Sequence, residues 1–112
     1  MSMQTIDESQ YLEWVGGADA AVLEFGAGWC PPCKVLMPIL HGLADEYGAA
    51  VKFATVDADE SPELASQFGV MSLPTVIFFK DGQPVDKLVG LRPADVYRNV
   101  INRQLAPSRA EL

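Results

Sequence analysis

Cysteine, histidine and basic residues are scarce in this chain of 112 residues, which has two cysteines, one histidine and eight Lys and Arg. Structural zinc sites usually take four protein ligands, so two cysteines and His41 would fit only a half-site shared across a dimer.

Fifteen acidic residues leave a net charge of −7. Because phosphate neutralisation needs clustered Lys and Arg, this balance argues against nucleic acid and anionic membranes as partners. We therefore expect neither nucleic acid nor a metal ion to bind.

Long apolar stretches are also missing, since no run approaches the roughly 20 residues needed to cross a bilayer. Residues 1–8 are polar and acidic, unlike the basic start and apolar centre of a secretory signal. We therefore expect a cytoplasmic protein. The length and a hydrophobic fraction of 49% suit one domain. We predict a single monomeric domain over residues 1–112, with a loose C-terminal tail at 106–112.

The two cysteines lie two residues apart within the stretch Trp29–Lys34. An apolar run, Ala21–Phe25, precedes this stretch, and a helical pattern begins at Pro31. Two thiols where a strand leads into a helix indicate a dithiol/disulfide site. A helix N-terminus favours a thiolate, so we assign Cys30, the nearer to the helix start, as the nucleophile. Cys33 lies one turn in, and we expect it to be the less exposed, resolving thiol.

The two residues between the cysteines are both proline. Proline fits the first helical turn because the N–H that it lacks would be unsatisfied there anyway. Pro31 and Pro32 remove two possible donors to the Cys30 sulfur, which leaves later amides such as those of Cys33 and Lys34. Fewer donors weaken thiolate stabilisation, while the rigid backbone pre-sets the disulfide ring. These effects act in opposite directions on the reduction potential.

Acidic residues occur in two settings. Glu24 interrupts the apolar run. Either it lies at a strand end or points to solvent, or it is a buried acid near the thiols with a raised pKa. Asp57, Asp59, Glu60 and Glu63 span a predicted strand end and a helix cap, which favours a solvated acidic rim over a metal site.

The hydrophobic periodicity predicts the order α, β, α, β, α, β, β, α. A Thr5/Glu8 capping box starts the first helix, and an Asp-Gly turn at 81–82 joins the last two strands. Helical crossovers and this hairpin together imply a mixed sheet with helices on both faces, an α/β fold. The remaining elements are helices from Pro31 to about Tyr47, from Pro62 to Gly69 and from Pro93 to before Pro107, and strands at 21–25, 51–56, 75–79 and 85–89.

This order and several motifs resemble the thioredoxin family, with a match that runs from about Val22 to Leu105. A Cys-x-x-Cys followed about 40 residues later by a Leu-Pro-Thr that opens a strand is a specific combination. The resemblance implies the thioredoxin fold, a central mixed β-sheet of four to five strands flanked by four helices. The matching pieces are Trp29–Lys34, Pro38, Leu73–Thr75, Phe79–Gly82 and Val89–Gly90.

The resemblance also implies a role for individual residues. Pro74 matches a cis-proline loop beside the disulfide, and the backbone of Leu73 would pair with an extended substrate segment. Trp29 would shield the site, and Gly90 would allow the bound chain to approach closely. Glu24 falls where the family has a buried aspartate that helps deprotonate the resolving cysteine. The implied substrate-contacting residues are Trp29, Pro31, Pro32, Leu73, Pro74 and Gly90.

Four positions depart from the family pattern. Glu24 is one methylene longer than the usual aspartate, and Pro31 replaces the usual glycine of the active-site turn. Gly26 stands where an aromatic residue is common, which loosens packing near the site. Thr55 stands where many members have a lysine, so Glu24 has no obvious counter-charge, which favours a higher pKa.

The resemblance implies a protein-disulfide reductase that acts on disulfide-containing client proteins. A thioredoxin reductase, an NADPH-dependent flavoprotein, would recycle it, and the Cys30–Cys33 disulfide would be its only redox group, without a further cofactor. The alternatives are a related oxidant or isomerase, or a redox protein that serves one dedicated client. The reduction potential of the disulfide distinguishes a reductase from an oxidant.

Overall fold

A five-stranded mixed sheet forms the centre of the computed structural model, which describes residues 3–107. Its strands are β1 (Met3–Thr5), β2 (Ala20–Gly26), β3 (Lys52–Asp57), β4 (Thr75–Lys80) and β5 (Gln83–Val89). The strand order is β1-β3-β2-β4-β5, with β1, β3 and β2 parallel and both β4 and β5 antiparallel to their neighbours. This is the predicted α/β architecture.

The described residues also form four α-helices, and Pro38 lies inside the longest of them. A single 3-10 turn, Gly48–Ala50, follows that helix, and the last helix continues as a π-helical segment, Ile101–Leu105. No helix in the described part of the chain is both long and apolar enough to cross a membrane. The helices are α1 (Glu8–Gly16), α2 (Pro31–Tyr47), α3 (Pro62–Gln67) and α4 (Ala94–Val100).

Strand β2 is the centre of the core, because all seven of its residues are buried. Side chains alternate across a strand, so Val22 faces one layer of helices and Leu23 the other. Helices α2 and α4 cover the first face, and α1 and α3 cover the second. The predicted core face of α2 is confirmed, since Leu36, Leu40, Leu43 and Tyr47 are all buried.

The start of the first helix differs from the predicted one. Asp7, not Thr5, caps α1 and accepts a hydrogen bond from the Ser9 amide at 3.0 Å, while the Gln10 side chain completes the capping box. Thr5 belongs to β1, where it pairs with Thr55 of β3. The Thr5/Glu8 capping box is therefore wrong, because pairing with β3 keeps residue 5 extended.

The C-terminal end of the described chain follows the π-helical segment. Ala106 is exposed with a φ of +45°, and Pro107 is buried. The other residues of the predicted tail, 108–112, lie outside the described residues.

Candidate active site

The two cysteines form a disulfide where β2 leads into α2. Cys30 is the N-cap residue of α2, and its Cα lies 5.3 Å from that of Cys33. The Cys33 N–H points at the Cys30 Sγ at 3.4 Å, as expected from the loss of the two proline donors. The Lys34 N–H instead donates to the Cys30 carbonyl oxygen at 3.3 Å, a bond of the first helical turn. One backbone donor therefore serves the Cys30 sulfur directly.

The expected difference in exposure between the two cysteines is not present in this disulfide form. Cys30 is 3% exposed and Cys33 is 4% exposed. Their positions differ instead, because Cys30 lies at the positive end of the α2 dipole and Cys33 lies within the first turn. Pro31 and Pro32, between them, are both exposed.

The loop that precedes β4 lies against the disulfide. Leu73 packs against the buried cluster formed by Ala27, Cys30 and Cys33, and the Leu73–Pro74 peptide bond is cis, as the resemblance implied. The Gly90 N–H donates to the Pro74 carbonyl oxygen at 2.8 Å. Gly90 has a φ of +90°, a conformation that favours glycine. The structure therefore brings both cysteines, the Leu73–Pro74 loop and Gly90 to one end of the sheet.

Trp29 lies at the rim of this site, with 67% of its surface exposed. Its indole N–H donates to the Asp59 carboxylate at 2.6 Å, which fixes the direction of an otherwise exposed ring. Trp29 also lines an apolar groove of about 670 Å³ together with Val70, Met71 and Leu73. Met71 is 92% exposed, so this groove presents apolar surface to solvent beside the disulfide.

Glu24 is a buried acid in the middle of β2, so the second of the two interpretations is confirmed and the alternative, a strand end or a solvent-facing side chain, is wrong. The Thr55 hydroxyl donates to Glu24 Oε1, and Oε2 has no hydrogen-bond partner among the described residues. Burial raises the pKa of Glu24 to about 7, and the Thr55 hydrogen bond opposes part of that rise. The raised pKa agrees with the expectation from the sequence.

A cavity of about 260 Å³ lies between β2, β3 and the start of α2. Glu24 and Cys33 both line this cavity, although no direct hydrogen bond joins them. Gly26, Thr55 and Asp57 also line it. The buried Glu24 carboxyl group and Cys33 therefore lie on the wall of the same cavity.

Comparison with known proteins agrees with this geometry. The thioredoxin family model matches residues 2–103. The chain is 44% identical over 105 residues to a thioredoxin of Staphylococcus haemolyticus, covering 94% of this chain and 100% of that protein. The chain belongs to the thioredoxin family. It is also 45% identical over 84 residues to a thioredoxin of Staphylococcus saprophyticus, covering 75% of this chain and 81% of that protein.

Solved thioredoxin structures have the same fold. A point mutant of thioredoxin from Halobacterium salinarum superposes with a TM-score of 0.86 at 30% identity, covering 93% of this chain and 91% of that one. A thioredoxin from Malassezia sympodialis gives a TM-score of 0.81 at 35% identity, with 90% of each chain covered. The thioredoxin fold expected from the sequence is therefore confirmed.

Membership of the thioredoxin family settles the class of activity. The protein is a thiol–disulfide oxidoreductase, a disulfide reductase of the thioredoxin type. Thioredoxins need no cofactor beyond the active-site disulfide. Within residues 3–107, no group of three or more His, Cys, Asp or Glu side chains could hold a metal ion.

Two partners in this thioredoxin site were not found from the sequence. Thr55 was considered only as a position that lacks lysine, but it pairs with Glu24 across β2 and β3 and donates to its carboxylate. Asp59 was interpreted as part of a solvated rim, yet it accepts the Trp29 indole N–H. The strand register could have revealed Thr55, whereas no local pattern connects Trp29 with a residue 30 positions later.

Proposed function

We propose that the protein reduces client disulfides by an exchange in which Cys30 attacks and Cys33 resolves. The observation that carries this assignment is the position of Cys30, which caps α2 and receives the Cys33 N–H on its sulfur. Unpaired N–H groups and the positive end of a helix dipole stabilise a thiolate, which is the attacking species in disulfide exchange.

The exchange proceeds in two balanced steps. The Cys30 thiolate attacks one sulfur of the client disulfide, and that bond breaks so that one client cysteine leaves as a thiolate. The Cys33 thiol then gives its proton to the Glu24 carboxylate and attacks the Cys30 sulfur. The bond between Cys30 and the client breaks, and the second client cysteine leaves as a thiolate. Two electrons pass to the client, and the Cys30–Cys33 disulfide is the oxidised product.

The environment of Glu24 supports its role as the proton acceptor. A general base works best when its pKa lies near the working pH, and burial raises the pKa of Glu24 to about 7. Glu24 and Cys33 line the same cavity, so a proton can pass between them through that shared space. Thr55 holds Oε1, which leaves Oε2 as the oxygen available to accept the proton.

The client segment binds over the surface beside the buried disulfide, where Trp29, Pro31 and Pro32 are exposed. We infer that it lies extended along the Leu73 backbone, as an added strand does. The packing of Leu73 against the cluster that contains both cysteines supports this placement, and so does the apolar groove beside Trp29. Apart from Gly90 itself and its two chain neighbours, no residue has a heavy atom within 4 Å of a Cβ built at Gly90, which supports close approach of a bound chain there. Pro31, Pro32 and Pro74 complete the proposed contact surface.

Thioredoxins act on disulfide substrates and are reduced by a thioredoxin reductase. We propose that this chain also takes its electrons from such an NADPH-dependent flavoprotein. We further propose that it works in the cytoplasm as a monomer, with residues 1–112 forming a single domain. The acidic composition, with a net charge of −7, supports neither nucleic acid nor an anionic membrane as a partner.

Trapping with Cys33→Ser tests the assignment of the two cysteines. This variant keeps Cys30 but removes the resolving thiol, so it should accumulate mixed disulfides with client proteins through Cys30. Cys30→Ser is the matched control and should trap none. Mass spectrometry of the cross-linked peptides identifies the cysteine involved. Trapping through Cys33 in the Cys30→Ser control, or none in either variant, would refute the proposed order of attack.

A further inference from the structure

Gly26 lies two residues after Glu24 on β2, so both residues face the same side of the sheet. A Cβ built at Gly26 would overlap Glu24 Oε2, and its three nearest heavy atoms all belong to the Glu24 carboxyl group. The backbone does not require glycine here, because the φ of Gly26 is not positive. The absence of a side chain at residue 26 therefore provides space for the carboxylate of Glu24.

Moving the Glu24 carboxylate out of that space would disturb its present contacts. Its side chain is 1% exposed, and its Oε1 accepts the Thr55 hydroxyl. A side chain at residue 26 would force the carboxyl group to turn, which would break the Thr55 hydrogen bond or move Oε2 away from its present position. Buried polar groups that lose a hydrogen bond cost free energy, so the present arrangement depends on residue 26.

Gly26 also borders the space that Glu24 shares with Cys33. All three residues line the cavity of about 260 Å³, and the unpartnered Oε2 is the carboxylate atom nearest to the empty Cβ position. An aspartate at position 24 would end one methylene nearer to the backbone and would not need that position. The longer acid and the glycine therefore depend on each other.

We propose that Gly26 is a positioning residue for the resolving step, because its empty Cβ position lets Glu24 keep Oε1 on Thr55 while Oε2 stays unpartnered in a carboxyl group that shares a cavity with Cys33. This inference rests on the proposed role of Glu24 as the proton acceptor. It adds that the position of the carboxyl group depends on residue 26 only when residue 24 is a glutamate.

Other ionisable groups surround Glu24, but Gly26 does not act through them. Cys33 and Lys34 of α2 and Asp57 of β3 line the same cavity. On α4, burial raises the pKa of Tyr97, and the charge of Glu24 adds to that rise. Since the nearest atoms to a Cβ at Gly26 are those of Glu24, a substitution there should act first on Glu24.

Four proteins test the coupling: wild type, Gly26→Ala, Glu24→Asp, and the double variant with both changes. Each reduced protein is mixed with a small aromatic disulfide that releases one coloured thiol when Cys30 attacks and a second when Cys33 resolves. The rate of the second release is measured across pH. The pKa of the carboxyl group at position 24 is followed in parallel by NMR with a 13C-labelled side chain.

In the wild-type background, Gly26→Ala should slow the second release by about tenfold or more, as expected when a catalytic group is displaced. It should also move the pKa of Glu24 and the pH profile together, while the first release is unchanged. In the Glu24→Asp background, the same substitution should change neither the rate of the second release nor the pKa of the carboxyl group at position 24 appreciably. Gly42→Ala is the matched control, since a Cβ there meets nothing within 4 Å, and it should leave both releases unchanged.

Equal effects of Gly26→Ala in both backgrounds, or no effect in the wild-type background, would overturn the inference. A separate variant, Glu24→Gln, tests the role of the acid itself. If Glu24→Gln resolves at the wild-type rate, the proposed proton acceptor is wrong whatever residue 26 does. If it resolves slowly while Gly26→Ala does not, only the role of Gly26 is wrong.

Stability gives a second measurement if Gly26→Ala proves too unstable for kinetics. Denaturant unfolding should then show that Gly26→Ala lowers the unfolding midpoint in the wild-type background but hardly changes it in the Glu24→Asp background. An equal loss in both backgrounds would mean that residue 26 clashes with something other than the longer acid, and the inference would fail.

Discussion

The Thr55 hydroxyl donates a hydrogen bond to Glu24 Oε1 across the parallel pair β2 and β3, where the two residues occupy matching positions in the register. This bond stabilises the charged carboxylate, whereas burial favours the neutral acid. The balance between the two, rather than a counter-charge, sets the pKa of the proposed proton acceptor.

Removing the hydroxyl should shift this balance. Thr55→Val keeps the shape of the side chain but removes the donor, so we expect the pKa of Glu24 to rise above about 7. Thr55→Ser retains a hydroxyl and should leave the pKa close to the wild-type value. NMR titration of a 13C-labelled glutamate side chain measures both. A pKa that falls in Thr55→Val would show that the hydrogen bond does not stabilise the carboxylate.

Burial of Glu24 should also make folding stability depend on pH. The pKa of Glu24 is raised from its ordinary value of 4.5 to about 7 in the folded protein. Between these two pH values the folded state keeps a proton that the unfolded chain has already released. Stability is therefore highest below 4.5 for this group, falls across that window and stays reduced above it. At about 1.4 kcal/mol for each pH unit, the loss is about 3 kcal/mol.

Glu24→Gln carries no charge at any pH and should lack this component. Denaturant unfolding of the two oxidised proteins should give a stability difference in favour of Glu24→Gln that grows by about 3 kcal/mol between about pH 4 and about pH 8. Parallel stability curves for the two proteins would show that Glu24 titrates alike when folded and unfolded, which contradicts the raised pKa.

The hydrogen bond between Trp29 and Asp59 should matter for protein clients more than for small disulfides. Asp59→Ala removes the acceptor of the indole N–H and frees a ring that lines the apolar groove. We expect KM for a protein disulfide to rise by about threefold to tenfold, the value of one hydrogen bond, with kcat little changed. Asp57→Ala is unsuitable as a control because the Asp57 carboxylate accepts the backbone N–H groups of Asp59 and Glu60. Glu60→Ala is the control instead. An unchanged KM would argue that the orientation of Trp29 is unimportant for clients.

Core packing by α2 allows a further prediction. Leu40 is fully buried and packs in the cluster between α2, α4 and the sheet. Leu40→Ala should lower the free energy of unfolding by about 2 to 5 kcal/mol, the usual cost of such a truncation. Leu12→Ala, at a position 77% exposed on α1, should change it by about 0.5 kcal/mol or less. A similar loss in both variants would contradict the assigned core.

The sequence predicted well those elements whose signals are local. The apolar stripe of α2, the buried run of β2 and the Asp-Gly turn between β4 and β5 each depend on neighbouring residues, and all three are present. Strand β1 has only three residues, too few for a periodic signal. Its pairing with β3 also explains why Thr5 is extended rather than a helix cap.

Sequence motifs predicted the site residues that they contain. The prediction was incomplete for Gly26, whose role depends on the space left around it in the folded chain. The cysteine spacing and the Leu-Pro-Thr sequence identified the disulfide and the loop beside it. Gly26 was recognised as unusual, but the sequence alone predicts looser packing there. Only the folded chain shows that the carboxylate of Glu24 occupies the space that a side chain would take.

The most direct test of the proposed chemistry is the alkylation rate of the two cysteines in the reduced protein at pH 7, resolved by mass spectrometry. An ordinary thiol is only a few per cent ionised at that pH, so a helix-stabilised thiolate should react about tenfold faster or more. We predict that Cys30 is modified first and faster than the same residue in the urea-unfolded chain. Modification of Cys33 first, or equal rates for Cys30 in the folded and unfolded protein, would contradict the assignment of Cys30 as the nucleophile.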